Sequence, residues 1–274
     1  MGSWDIAIVL GIVEGLTEFL PISSTGHLII VGHLLGYVGE EAASFEVAIQ
    51  LGAILSVVFI YRQRFIGLIP AGRYSSSLSD STLLGWPGLY RIALATLPAL
   101  IVGFLGRHVI KENLFTPEAV TSALLIGGVA ILFVERLASR QRNTQLDELT
   151  LGQALGIGLF QVLALWPGTS RAAATIVGAM LLGLDRKSAA EFSFLIAVPV
   201  LFAATGYELI KMRNQLAFEA STQLAIGLMV SFIVAIIAVK GFVSFLQHGK
   251  LTPFAWYRIL VAPIFYYLTR GLNF

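Results

Sequence analysis

The sequence predicts an all-α polytopic membrane protein built as an inverted repeat, in which each half holds one re-entrant helical hairpin and three transmembrane helices. Of its 274 residues, 57% are hydrophobic and only 12% are charged, whereas soluble domains carry about 25% charged residues. Two of its apolar stretches are interrupted in the middle, and the two halves of the chain can be aligned with each other. These three observations carry the prediction.

Six segments are long and apolar enough to cross a bilayer, which takes about 20 residues in a helix. They are roughly 44–61, 85–107, 116–135, 188–210, 222–246 and 252–270. Two further apolar stretches, 3–36 and 151–183, are each cut by proline and small polar residues, which leaves pieces of about 15 residues. We predict that both are re-entrant hairpins whose breaks face each other, because irregular backbone at membrane depth must be covered by protein or by a water-filled cavity.

The two halves align at an offset of about 146 residues. The matched pairs are Pro21 with Pro167, Ser24 with Ser170 and Gly32 with Gly178. We expect one membrane domain over 1–274, with repeat 1 at about 1–136, a linker at about 137–150 and repeat 2 at about 151–274. Each repeat has an odd number of crossings, so the second copy is inverted, and a site is expected near the midplane between the repeats.

Loop charges predict the orientation, because cytoplasmic loops carry an excess of Lys and Arg. One side holds nine basic residues: Arg62, Arg64, Arg73, Arg136, Arg140, Arg142, Arg186, Lys187 and Lys250. The other side holds five: Arg107, Lys111, Lys211, Arg213 and Arg270. Both termini and the first hairpin are therefore expected on the outer side. The net charge of +2 gives no reason to expect a nucleic-acid partner, and the absence of cysteine excludes disulfides and thiolate metal sites.

The first break carries two carboxylates within the run E-G-L-T-E-F-L-P-I-S-S-T-G-H, from Glu14 to His27. Glu14 and Glu18 are four residues apart, so they share one helix face until Pro21 ends the helix. Ionisable groups at membrane depth usually have a function. The pair fits ligands for a divalent cation, Mg²⁺ or Ca²⁺, or a general base pair, and the alternative is a buried structural pair.

Three hydroxyls follow that proline. Ser23, Ser24 and Thr25 stand where a new helix begins, so one of them is expected to cap it. Together with the free N–H groups of the helix start they also fit a phosphate-binding site. Ser24 lies three residues before His27, and this spacing allows a nucleophile–base pair on one helix face.

The second break supplies a cation in the run W-P-G-T-S-R, from Trp166 to Arg171. Arg171 follows Gly168, Thr169 and Ser170 directly, and a guanidinium there can bind phosphate oxygens and stabilise charge in a phosphoryl-transfer transition state. Four other charged residues in or near spans are expected to be buried in pairs or to reach the surface rather than to do chemistry. They are Arg91, Arg258, Glu191 and Lys240.

These motifs resemble the undecaprenyl-pyrophosphate phosphatase family of the bacitracin-resistance type. Three further runs share the resemblance: F-E-V-A-I-Q-L-G from Phe45, L-W-P-G-T-S-R from Leu165 and E-F-S-F-L-I-A-V-P from Glu191. The resemblance covers the whole chain. In that family the patterns E-x-x-x-E and P-G-x-S-R-S-x-x-T carry activity. They correspond here to Glu14, Glu18, Pro167, Gly168, Ser170, Arg171 and Thr175, and Ala172 replaces the second serine of the family pattern. The resemblance therefore implies activity that is reduced or re-tuned rather than absent.

The resemblance implies a C55 isoprenoid pyrophosphate substrate in the bacterial inner membrane, loss of its terminal phosphate to recycle the lipid carrier for cell-wall synthesis, and a divalent cation. The implied roles are metal binding by Glu14 and Glu18, attack by Ser24 or by a water assisted by His27, and charge stabilisation by Arg171. The sequence leaves the nucleophile open among Ser24, His27 and water, and it leaves a homodimer open. A lipid-phosphate flippase would use the same anion site and is the main alternative. A lipid hydrolase of the acid-phosphatase type ranks third, on S-T-G-H and S-R.

Overall fold

The computed structural model describes residues 3–70, 81–114, 116–138, 144–212 and 218–271. Part of the predicted linker, residues 139–143, lies outside the described residues. So do four of the basic residues counted for orientation, namely Arg73, Arg140, Arg142 and Arg213.

Within that described part the chain forms eleven α-helices. They are α1 Ser3–Thr17, α2 Ser24–Leu34, α3 Glu40–Ile60, α4 Arg62–Gly67, α5 Gly85–Leu114, α6 Pro117–Ala138, α7 Leu151–Val162, α8 Arg171–Leu181, α9 Arg186–Met212, α10 Phe218–Leu246 and α11 Thr252–Thr269. Short 3₁₀ turns lie at Leu146–Glu148 and Leu163–Leu165. The described residues contain no β-strand, so the expected all-α class is confirmed.

Five helices are long and apolar enough to cross a membrane. The candidate spans are Glu41–Ile60, Gly85–Ile110, Pro117–Leu137, Arg186–Tyr207 and Thr222–Leu246. They match five of the six predicted spans. The sixth corresponds to α11, an 18-residue helix that falls outside this set, since its arginine, tryptophan and tyrosines lower its mean hydropathy.

Both interrupted stretches form a helix, a break and a second helix. The breaks cover 18–23, between α1 and α2, and 163–170, between α7 and α8. Each contains a proline, Pro21 or Pro167, whose ring cannot continue a helix. Each ends on a serine in the left-handed region, with φ of 73° at Ser23 and 68° at Ser170. Non-glycine residues rarely adopt such φ values and often do so at functional sites.

These two serines have the same local role. The Ser23 hydroxyl accepts from the backbone N–H of Gly26 at 3.4 Å, and the Ser170 hydroxyl accepts from that of Ala173 at 3.2 Å. Each therefore caps the helix that follows and satisfies one of its free N–H groups. Because both serines precede the first residue of their helix, Ser170 corresponds to Ser23 in the structure. The alignment of the two halves had paired Ser170 with Ser24, one residue further along.

The second hairpin lies at the centre of the packing. Helix α8 is buried from Ala172 to Met180 and packs on α6, α7 and α9. The first hairpin lies further out, with α1 against α10 and α2 against α1 and α11. Gly15 allows α1 to approach α10 closely, since a Cβ there would stand 2.7 Å from the carbonyl oxygen of Ser231. The first break is buried at every position except Leu20, and the second is buried at Pro167 and Gly168.

Two ion pairs join parts of the chain that are distant in sequence. Arg186 at the start of α9 holds the Glu135 carboxylate with two bonds of 2.8 Å. Arg64 in α4 forms a bidentate pair with Asp147 in the linker. The hydrogen bond from Arg64 holds the pKa of Asp147 below its ordinary value.

Candidate functional site

The Glu18 carboxylate stands at the junction of the two breaks. The Ser24 hydroxyl donates a hydrogen bond to its Oε2 at 2.6 Å, and Arg171 Nη2 donates to its Oε1 at 3.4 Å. The side chains of Arg171 and Glu18 are only 9% and 6% exposed. One carboxylate therefore links a hydroxyl at the start of α2 to a guanidinium at the start of α8, and the predicted meeting of Glu18, Ser24 and Arg171 is present in the structure.

Arg171 is fixed from its other side by α9. Its Nη1 donates to the carbonyl oxygen of Ser193 at 2.9 Å and to the Ser193 hydroxyl at 3.2 Å. That hydroxyl lies 2.6 Å from Thr175 Oγ1, so the threonine of the predicted site supports the arginine indirectly. The guanidinium of Arg171 also lies over the Phe19 ring, 5.5 Å from the ring centre. The guanidinium therefore has a set orientation before any ligand arrives.

Sequence reasoning missed Ser193 as a site residue. It lies in the motif E-F-S-F that supports the family resemblance, so a signal was available, but no spacing rule connects it to Arg171. Its contact with Arg171 joins residues 22 positions apart, on two packed helices.

Glu14 is completely buried, and neither of its carboxylate oxygens has a hydrogen-bond partner among the described residues. A buried carboxylate with two unpaired oxygens fits a cation ligand, because Mg²⁺ and Ca²⁺ bind carboxylate oxygens. Glu18 fits less completely, since each of its oxygens already accepts a hydrogen bond. The described residues hold no group of three His, Asp or Glu side chains arranged for a metal ion, so substrate oxygens or water would have to complete the coordination.

His27 does not pair with Ser24. Its Nδ1 lies 2.7 Å from the carbonyl oxygen of Ser23, and its Nε2 lies 2.7 Å from the hydroxyl of Tyr257 in α11. A carbonyl can only accept, so Nδ1 carries a proton, and in the neutral ring Nε2 accepts from Tyr257. The two rings are also stacked, with 5.6 Å between their centres. Although the sequence spacing allowed a Ser24–His27 pair, Ser24 reaches back across the break to Glu18.

The remaining predicted residues line the breaks. Gly168 is required where it stands, because its φ is +91° and a Cβ would approach a carbonyl oxygen of α6 to 2.6 Å. The Ser170 hydroxyl donates to the carbonyl oxygen of Leu20 at 3.5 Å, which is a direct contact between the breaks. Thr25 and Thr169 are half-buried, and in the described part of the chain their side chains form no hydrogen bond with Glu18 or Arg171.

Ala172, which replaces a serine of the family pattern, is fully buried in the apolar core. Ala173 beside it is also buried. The position thus contributes to the packing of α8, and a hydroxyl there would have to be accommodated among apolar side chains.

Comparison with known proteins identifies the family. The family described as bacitracin resistance protein BacA matches residues 7–264. A protein of Maridesulfovibrio salexigens named undecaprenyl-diphosphatase is 53% identical over 267 residues, which covers 96% of this chain and 98% of that protein. A protein of the same name from Nitratidesulfovibrio vulgaris is 51% identical, over 97% of this chain and 98% of that protein. Another, from Solidesulfovibrio magneticus, is 52% identical, over 95% of this chain and 97% of that protein. With its sequence motifs and almost its whole length matched, this chain belongs to the bacitracin resistance protein BacA family.

Proposed function

We propose that this protein hydrolyses undecaprenyl diphosphate to undecaprenyl phosphate and inorganic phosphate. The observation that carries the proposal is the Glu18 carboxylate, which holds the Ser24 hydroxyl on one oxygen and Arg171 on the other. A nucleophile, a base and a cation for phosphate oxygens are thereby assembled in one buried place, as phosphoryl transfer requires. The relatives named undecaprenyl-diphosphatase indicate the substrate and favour hydrolysis over lipid transport.

Ser24 is the nucleophile that this geometry supports best. Its proton points at Glu18, so Glu18 can take that proton as Ser24 Oγ attacks the terminal phosphorus. The bond from that phosphorus to the bridging oxygen breaks, and undecaprenyl phosphate leaves with the electron pair. Water then loses a proton as it attacks the phosphorus of the phosphoserine, the bond from that phosphorus to Ser24 Oγ breaks, phosphate leaves, and Glu18 returns its proton to Ser24 Oγ. Arg171 faces the oxygens on which charge develops.

His27 supports this arrangement from the same helix. With Nδ1–H held by the Ser23 carbonyl, Nε2 is the nitrogen that can exchange a proton, and it faces the hydroxyl of Tyr257. We place His27 next to the site as a proton acceptor for water in the second step. The hydroxyls of Ser23, Thr25, Thr169 and Ser170 and the backbone of Gly168 would surround the phosphate groups.

A divalent cation, Mg²⁺ or Ca²⁺, is part of the proposal. Glu14 would hold it through its two unpaired oxygens, with Glu18 as the second carboxylate. When bound, the ion would neutralise charge on the two phosphate groups. Chelation is therefore expected to lower phosphate release.

We also propose that the fold is an inverted repeat with two re-entrant hairpins. The packing of the helices supports this proposal. Helix α1 contacts α10, and α7 contacts α5 in the equivalent way. Likewise α2 contacts α11, and α8 contacts α6. This is the pattern expected if α1, α2, α5 and α6 correspond to α7, α8, α10 and α11. The location in the bacterial inner membrane, the outward-facing termini and a homodimer are further parts of the proposal, and loop charge supports the orientation.

The proposed function is tested with purified protein and undecaprenyl diphosphate, by measuring phosphate release with and without a chelator. We expect release that depends on the metal and is lost in Ser24→Ala. A parallel assay in vesicles measures lipid transfer between leaflets. Transfer without phosphate release would favour the flippase alternative.

A further inference from the structure

Arg258 is a fully buried arginine in α11 whose hydrogen bonds all go to backbone carbonyl oxygens. Two of them bind α6, from Nε to Leu124 at 3.3 Å and from Nη2 to Ala123 at 2.9 Å. The other two bind the breaks, from Nη1 to Pro21 at 3.2 Å and from Nη2 to Gly168 at 3.1 Å. One guanidinium therefore touches both broken segments.

Among the described residues, no carboxylate forms a salt bridge with Arg258. By contrast, Arg64, Arg171 and Arg186 pair with Asp147, Glu18 and Glu135. Burying a cation without a partner is unfavourable, and an apolar side chain would pack α11 on α6 without that penalty. Arginine instead offers five N–H donors in a rigid planar fork, which can hold several carbonyl groups in a fixed arrangement.

We propose that Arg258 is a positioning residue that fixes the two breaks relative to each other. Pro21 lies three residues before Ser24, and Gly168 lies three residues before Arg171. Movement of either carbonyl would therefore shift one of the two groups that meet at Glu18. The inference rests on the proposed function for its effect on turnover, while its effect on the distance between the breaks is independent of that function.

Gly127 in α6 makes it possible to move the guanidinium without changing Arg258. A Cβ at Gly127 would collide with Arg258 Nη2 and would stand 2.8 Å from Cζ. The adjacent Gly128 provides a matched control, since its Cβ would meet Ile259 Cγ1 at 2.8 Å and the Ala255 carbonyl oxygen at 3.0 Å. Both substitutions crowd the α6–α11 contact, but only Gly127→Ala displaces the arginine.

The test compares Gly127→Ala, Gly128→Ala and Arg258→Lys by two measurements. The first is kcat and KM for phosphate release, and the second is the rate of cross-linking between cysteines placed at Leu20 and Ser170 in each variant. Misplaced reacting groups lower turnover strongly, whereas the affinity for substrate changes little because the groups that bind it are still present. We therefore expect Gly127→Ala and Arg258→Lys to lower kcat at least about tenfold and to change KM less than about threefold. Cross-linking should slow in both. Gly128→Ala should keep its kcat and its cross-linking rate even where its thermal stability falls.

Equal losses of kcat in Gly127→Ala and Gly128→Ala would overturn the proposal, because general crowding would then explain both. Parental cross-linking rates in Gly127→Ala and Arg258→Lys would overturn it as well. If Arg258→Lys does not fold, Gly127→Ala with its control decides the question. If the parental protein releases no phosphate, the proposed function fails, and the cross-linking comparison still tests the link between the breaks.

Discussion

Replacement of Glu18 by glutamine is expected to lower turnover by at least about a hundredfold, or about 2.7 kcal/mol in activation free energy. Ser24 and Arg171 both donate hydrogen bonds to Glu18, at 2.6 Å and 3.4 Å. A glutamine has one acceptor oxygen and one donor NH₂ group, so one of these two donors would face another donor. The variant also has no carboxylate to take the proton of Ser24.

The ion pair sets the scale of this effect. Two unit charges 3.4 Å apart attract each other by about 5 kcal/mol at an effective dielectric constant of about 20. Desolvation offsets part of that attraction, but the loss of one partner leaves a buried charge unpaired, which typically costs about 3–5 kcal/mol. We therefore expect Glu18→Gln to lower the thermal stability of the protein measurably, in addition to its turnover.

A double-mutant cycle with Arg171→Gln separates the interaction from the single effects. Because the two residues act as one unit, the double variant should be about as impaired as the worse single variant rather than showing the product of both losses. Phosphate release and thermal unfolding in detergent are the two assays. Glu118→Gln, which changes an exposed glutamate in the first turn of α6, is the control and should behave as the parental protein. Parental phosphate release by folded Glu18→Gln, or single effects that multiply fully, would refute this reasoning.

Three further predictions concern other parts of the structure. Cysteines introduced at Leu20 and Ser170 should be joined by a short cross-linking reagent, because the Ser170 hydroxyl lies 3.5 Å from the Leu20 carbonyl oxygen in a chain that has no cysteine. Asp147→Asn should lower the unfolding temperature at pH 7 by an amount equivalent to at most about 1 kcal/mol, because the pair with Arg64 is partly exposed. Arg64 lowers the pKa of Asp147 in the folded state. The stability difference should therefore be present above the unfolded-state pKa of about 3.9 and vanish as the pH falls through the folded-state pKa. Gly168→Ala should destabilise the protein and reduce phosphate release, since it combines a φ of +91° with a contact of 2.6 Å to a backbone oxygen.

The cross-link and Gly168→Ala each have a matched control, and Asp147→Asn is checked by its pH dependence. For the cross-link, cysteine at Gly152 replaces the one at Leu20; Gly152 is exposed at the start of α7 and has open space around it. Equal cross-linking of both pairs would contradict the contact between the breaks. For Gly168→Ala, the control is Gly206→Ala, where a Cβ meets nothing within 4 Å. For Asp147→Asn, a difference from the parental protein that persisted unchanged at pH 2 would show that Arg64 does not act through the carboxylate.

Much of the fold could be predicted from the sequence, because it depends on local composition. Apolar segments of about 20 residues indicated all five candidate spans. Pro21 and Pro167 indicated where the two interrupted stretches break. Glu18 and Arg171 stood out as site residues because charges are rare in such surroundings. Arg258 was expected to be buried in a pair or to reach the surface, but it is buried with four backbone carbonyl partners.

Only the tertiary structure decided which of these residues touch. Periodicity predicts neighbours along one helix, and it suggested His27 as the partner of Ser24; the break instead returns Ser24 to Glu18, six residues back, at 2.6 Å. Ser193 in α9 holds Arg171 across 22 residues of chain, and Arg258 in α11 holds the breaks across up to 237 residues. Helix periodicity follows from the geometry of a few adjacent residues. Contacts between helices follow from how whole apolar faces pack, and no short stretch of the sequence contains that information.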